Sequence, residues 1–332
     1  MRWNLKQVIF PTAAIFFLLL PGIAQAQKRL NSGYAAISGG AAVPWIAYDE
    51  GIFKKNGLDV NMGLIAGGAR VISAILAGDN PISLAGGDAL VQARLRGADL
   101  VSIADVAYTF VFSLMTTPNI KNPEDLRGKK LGILNFGGAT DIALIKALEH
   151  YKLRPNQDVA VLAIGGTPEI LASIHSGRID GGILSPPTSY RAKKLGLREF
   201  LDLGTLQIPF QHNTVITTEK YIRSNPEIVQ AYVKSFVEAV HLGKTNKNLA
   251  KRIIAKYTKV TDDDALEDTY QLFVVKYLKQ APYPSEAAVK TVLDYVGEKD
   301  PKARTANPKD FVDPRWVKEL DDSGYIANLY RK

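Results

Sequence analysis

Residues 29–57 read RLNSGYAAISGGAAVPWIAYDEGIFKKNG. An extended stretch closes near Ile37, Ser38-Gly39-Gly40 supplies a turn, and the apolar run after it predicts a helix to about Glu50 with Gly51 as a stop. The same strand, glycine loop and helix recur downstream. LDVNMGLIA (58–66) leads through Gly67-Gly68 into a helix ending near Gly78, and PISLAG (81–86) leads into GDALVQARLRGAD (87–99). Alternation of this kind with short loops predicts an α/β sheet fold.

Outward from this unit, LVSIADVAY (100–108) and FVFSLMTTP (110–118) are apolar, β-branched and aromatic. Both suit strands buried on two faces. After a short helix in NPEDLRG (122–128) the pattern restarts. KLGIL leads to NFGGATDIALIKALEHYKL, VAVLAIG to GTPEILASIHSGR, IDGGIL to SPPTSYRAKKLG, and EFLDLG ends near 204. VITTEKYI (215–222) is one more strand, ending in a short helix. The remainder is helical, including a segment after Asn225-Pro226 and others in 248–258, 264–279, 285–297 and beyond Asp313-Pro314. Those helices have no sheet of their own, so they are expected to flank the first. The division expected is 27–115 with 210–332 as one lobe and 116–209 as the other. Crossovers are expected near 113–118 and 207–213. Two crossovers make a hinge, and a hinge makes a cleft.

The N-terminal 26 residues read as a cleaved export signal. Arg2 and Lys6 precede an apolar run from Val8 to Leu20, and Ala24-Gln25-Ala26 offers a small-residue cleavage site. The formal charge of +8 falls to +6 when Arg2 and Lys6 leave. Basic residues are scattered, without an arginine-rich arm or a finger pattern, so no nucleic-acid partner is expected. Cysteine is absent. That removes disulfides, thiolate metal sites, cysteine nucleophiles and the lipidated cysteine of a tethered exported protein. The expected location is therefore the periplasm, in soluble form.

The ordered series GYAAISGGAAVPWIAYDEGIFKKNGLDV, IAGGARVISAILAGD, ISLAGGDALVQARLRGAD, NPEDLRGKKLGI, GGATDIALIKALEHYKL, GGTPEILASIHSGRID and FVDPRWVKELDDSGYI spans nearly the whole exported chain. It resembles the periplasmic substrate-binding proteins of ABC importers in the nitrate, sulfonate, taurine and pyrimidine-precursor superfamily. The resemblance implies a two-lobed Venus-flytrap fold that closes on a small solute and delivers it to a membrane permease. An unusual relative makes a thiamine pyrimidine precursor with a cysteine-rich motif, which this chain lacks. The quoted motifs do not choose among the family's ligands. A monomer is the expected state.

Loops that start helices offer unpaired N–H groups and a partial positive charge. The candidates for solute contact are Ser38, Gly39 and Gly40; Gly68, Ala69 and Arg70; Gly87 and Asp88; Asn135, Phe136, Gly138 and Thr140; Thr167; Ser185 and Thr188; and His212. Arg70 is an anion partner by its guanidinium fork, or else an ordinary surface arginine. Asp88 caps its helix or meets a donor on the solute. Phe136 covers an apolar body or packs in the core. His212 sits at the second crossover. Tyr34, Trp45, Tyr108 and Phe110 lie near the expected cleft, with core packing the plainer role and Tyr108 and Phe110 on one strand face. No HExxH, GxSxG, P-loop or EF-hand motif occurs, and the histidines at 150, 175, 212 and 241 are isolated. Neither a metal, a cofactor nor catalysis is expected. A small anionic solute is preferred. A pyrimidine-biosynthesis enzyme and a solute-sensing protein are the alternatives.

Overall fold

The structure, a computed structural model, describes residues 27–331. The expected export signal lies outside the described residues. The ten strands are β1 Lys28–Tyr34, β2 Leu58–Leu64, β3 Ser83–Ala85, β4 Leu100–Asp105, β5 Ser113–Thr116, β6 Lys130–Ile133, β7 Ala160–Ala163, β8 Gly181–Leu184, β9 Arg198–Asp202 and β10 Thr214–Thr218. They form two five-stranded sheets, ordered β2-β1-β3-β10-β4 and β7-β6-β8-β5-β9. Each sheet defines a lobe.

In the first lobe β1 runs parallel to β2 and β3, whereas β10 is antiparallel to β3 and β4. In the second, β6 is parallel to β7 and β8, and β5 is antiparallel to β8 and β9. The strand just past each crossover is thus the antiparallel member of the sheet it enters. This is the two-lobed periplasmic-binding-protein fold. The first crossover comes earlier than 113–118. β5 begins at Ser113 in the second sheet, so the chain passes between lobes at 106–112. The run FVFSLMTTP looked like a single strand because its first half is just as apolar. That half is consumed by the hinge.

The two crossovers pack against each other. Thr109 forms a β-bridge with Pro209, and the Phe210 amide donates to the Tyr108 carbonyl at 2.9 Å. Phe110 and Phe210 are fully buried with ring centroids 4.2 Å apart. Tyr108 and Phe110 do not share a face as expected: Tyr108 is exposed beneath Lys279, while Phe110 is core. The irregular crossover breaks the strand alternation that the expectation assumed.

The C-terminal helices flank the first sheet as expected. The helix Pro226–Thr245 packs on Ala42–Asp49, and Glu286–Gly297 packs on Gly87–Leu95. Trp45 is fully buried and stacks on Tyr257 at 4.5 Å, and Tyr34 joins the same cluster. These aromatics serve the core. The stretch 264–279 is not one α-helix. The helix Asp263–Tyr270 widens into a π-helical turn at Gln271–Lys276, and its Phe273 packs at the hinge. No helix among the described residues is long and apolar enough to cross a membrane.

Candidate functional site

Five helices begin at one cleft between the sheets: Gly68–Ala77 and Gly87–Leu95 from the first lobe, and Ala139–His150, Thr167–His175 and Thr188–Lys194 from the second. Their N-cap residues are Gly67, Gly86, Gly138, Gly166 and Pro187, and none makes a side-chain cap. The first N–H groups of an α-helix have no partner within the helix. With glycine or proline at the cap, no local side-chain cap satisfies them. The cleft measures about 1270 Å³. That exceeds what an inorganic oxyanion needs and leaves room for an organic body with water.

Ser38, Gly68, Ala69, Asp88, Asn135, Phe136, Gly138, Thr140, Thr167, Ser185, Thr188 and His212 line this cleft. Gly39, Gly40, Arg70 and Gly87 do not. A Cβ on Gly39 would meet Phe273 and Thr269 at 2.4 Å, and one on Gly40 would meet Asn213 Nδ2 at 2.1 Å. A Cβ on Gly87 would press on Gln211 at 2.5 Å. The hinge and a C-terminal helix pack against these glycines and leave no room there for a side chain. Arg70 is exposed on its helix and stands outside the cleft lining. The neighbouring Ala69 occupies the cleft side instead.

Two arginines that sequence reasoning passed over do reach the cleft. Arg96 follows the C-terminal end of the helix at Gly87, and Arg191 lies in the helix Thr188–Lys194. Both are exposed, and among the described residues neither has a carboxylate partner. Gln92, Phe112, Asn213 and Val260 also line the walls. No local motif marks these positions. Only the crossing of helices brings them to the cleft.

The cleft carries apolar side chains from both lobes. Ile37, Leu64, Leu76 and Phe136 all line it, and they are 49%, 44%, 48% and 57% exposed. Four of the nine most exposed large hydrophobic side chains of the described chain therefore gather in one place. Exposed apolar side chains gathered in a cleft mark a contact site.

Burial sets the electrostatics. It pushes the Asp88 carboxyl up to about 6, against the pull of the backbone amides of Asp88, Ala89 and Ala139. Asp88 also has no cationic partner among the described residues. His212 is buried at the hinge, and desolvation lowers its pKa to about 3, so the ring is neutral. Its Nδ1 accepts the Val111 amide at 3.4 Å, while Phe112 and Phe273 pack on the ring. The proton then resides on Nε2. Thr140 is equally structural in part, since its hydroxyl accepts the Leu134 amide at 3.0 Å. Among the described residues no group of three or more His, Asp or Glu is placed to hold a metal.

The family described as NMT1/THI5 like matches residues 42–245. "Putative binding protein YtlA" of Bacillus subtilis is 21% identical over 267 residues, covering 76% of this chain and 79% of that protein. Among solved structures, the periplasmic aliphatic sulphonate binding protein SsuA of Escherichia coli is 18% identical with a TM-score of 0.73, covering 86% of this chain and 97% of that one. The periplasmic nitrate-binding protein NrtA of Synechocystis PCC 6803 is 14% identical with a TM-score of 0.73, covering 91% of each chain. At such identities the structural likeness is one of fold.

Proposed function

The chain belongs to the NMT1/THI5-like family, and on that premise we propose that its cleft captures an organic anion with an apolar body for delivery to an ABC importer. The protein is the extracytoplasmic solute-binding component of such a system rather than an enzyme. Its partners are the solute and the permease, and we take the binding unit to be one chain. The observation that carries the solute class is the convergence of five uncapped helix N-termini on one cleft with an apolar lining.

Helix N-termini favour negative charge without a dedicated cation. In this reading the head group takes N–H bonds near Gly68 and Ala69 from one lobe, and near Thr167 and Thr188 from the other. Arg96 and Arg191 raise the local concentration of anions at the lips of the cleft. The body of the solute rests on Ile37, Leu64, Leu76 and Phe136. Asp88 faces a hydrogen-bond donor on the solute, since an anionic head beside its carboxylate would be repelled. The neutral His212 adds its Nε2–H as a donor. Two of the similar solved structures are named for sulphonate and nitrate, and both names agree with an anion. The size of the cleft and its apolar lining favour the organic one.

The test is native mass spectrometry of the protein from its own host, followed by denaturing release of what it carries. One acidic organic molecule per chain is the expected result. A thermal-melting panel of sulfonates, carboxylates, nitrate and pyrimidines complements it, because a ligand that binds only the folded state raises the melting temperature. A uniform lack of response across the panel, with an empty protein in the spectrometer, would overturn the reading.

A further inference from the structure

The loop 135–141 supplies six residues of the second-lobe wall, Asn135 to Thr140. It is held from the other lobe at three points, one of them the Asp88 carboxyl, which accepts the Ala139 amide. Gln92 Nε2, from the first-lobe helix Gly87–Leu95, donates to the Gly137 carbonyl at 2.7 Å. The Tyr295 hydroxyl, from the C-terminal helix Glu286–Gly297, donates to Asp141 Oδ2 at 2.9 Å. That same carboxylate oxygen accepts the Gly137 amide at 2.8 Å. One atom therefore joins the turn of the loop to the opposite lobe. The turn needs glycine at 137, where φ is +77°.

The two holding residues act together. Glu286–Gly297 packs directly on Gly87–Leu95, so Tyr295 and Gln92 stand on neighbouring helices of one rigid wall. Asp141 is 5% exposed, so its bond to Tyr295 is shielded from water. A hydrogen bond to a buried charged acceptor is stronger than one between neutral groups. The Tyr295 hydroxyl is pushed above its ordinary pKa by burial and by the Asp141 carboxylate, which keeps it a donor.

We infer that Gln92 and Tyr295 are positioning residues that, beside Asp88, clasp the loop 135–141 to the first lobe, so that opening the cleft breaks both of their bonds. The clasp acts through Gly137 and Asp141, and touches no solute atom itself through Tyr295. It goes beyond the solute reading, since it depends on the two lobes and not on what lies between them.

The experiment uses the exported chain without added solute. Q92A, Y295F and their double variant are compared with wild type by small-angle X-ray scattering and by hydrogen exchange at the amides of 137–141. Y325F is the control: Tyr325 donates to Glu238 by the same chemistry, but within the first lobe. The expected result is a larger radius of gyration in the clasp variants and roughly tenfold faster exchange at 137–141. Y325F should lower the melting temperature and leave both readouts unchanged. Unchanged radius and exchange in the double variant would overturn the clasp, and so would equal loosening in Y325F. Should Y295F fail to fold, Q92E, which removes the donor at near-constant size, decides the matter by the same two readouts.

Discussion

The helices that face the cleft and five of those at the C-terminal end begin in opposite ways. At the cleft the N-caps are Gly67, Gly86, Gly138, Gly166 and Pro187, without side-chain caps. After residue 217, Thr218, Asn246, Asp262, Ser285 and Asp300 each accept an amide of the helix they precede. A good cap stabilises a helix by about 1 kcal/mol. The cleft helices forgo it at five places that share one volume. What they keep is a set of amides without an N-cap acceptor, of which those of Asp88, Ala89 and Ala139 turn to the Asp88 carboxyl. The two regions also treat charge differently. Desolvation raises Asp88 and lowers His212 at the cleft. On the C-terminal surface Lys247, Gln271 and Lys251 pull Glu267 down to about 2. One region suppresses its own charge, and the other pairs it.

The largest expected effect tests the bare N-termini. A69D places a carboxylate in the first turn at Gly68, where the side chain is exposed to the cleft and meets no packing cost. It complements the helix dipole, so the solute-free melting temperature should hold or rise slightly. Affinity for the solute recovered from the host should fall roughly hundredfold, about 2.7 kcal/mol, by isothermal titration calorimetry. An unchanged affinity would detach the N-termini from binding.

Next in size is the acid response of the hinge. The folded pKa of His212, about 3, lies below its ordinary value of 6.5. As pH falls from 6.5 toward 3, the unfolded chain takes a proton that the native state refuses, so stability declines. Asp88, raised to about 6, acts with the opposite sign between 3.8 and 6. H212Q keeps an acceptor for the Val111 amide and removes the titration. Its chemical denaturation curves should lose less stability between pH 7 and pH 4.5 than those of wild type, by roughly 1–2 kcal/mol. Parallel declines in the two proteins would show that the ring is not held neutral.

A smaller change is expected where caps exist. N246A deletes the acceptor of the Leu249 amide, and should cost about 1 kcal/mol of stability with affinity intact. A matching drop in affinity would blur the contrast between the two regions. Smallest is K194A. Lys194 reaches Asp264 at 3.3 Å and Asp262 at 3.6 Å from the second lobe, but these groups are largely exposed. The melting shift should correspond to less than about 0.5 kcal/mol and vanish in high salt.

Some of the cleft lining was legible in the chain and some was not. The cleft loops at Ser38, Gly68 and Ala69, Asn135 to Thr140, Thr167 and Thr188 were legible, because a glycine-rich link between a strand and a helix has a fixed place at the sheet edge. Arg70 was misplaced by one position. Its type suited an anion, but the helical face it occupies depends on how that helix lies on the sheet. Gly39, Gly40 and Gly87 carry the same letter as the cleft glycines. Their reason is contact with Phe273, Asn213 and Gln211, residues more than a hundred positions away.

The sequence by itself determined the two α/β units, the helical C-terminal part and the want of thiol chemistry. All of these follow from local periodicity, turn residues and composition, which act within a few residues. The tertiary structure alone decided where the chain crosses between lobes, that Arg96 and Arg191 reach the cleft, and that Tyr295 meets Asp141. These depend on side chains brought together over long separations by the packing of two sheets and their flanking helices. No local pattern in the chain encodes such a meeting.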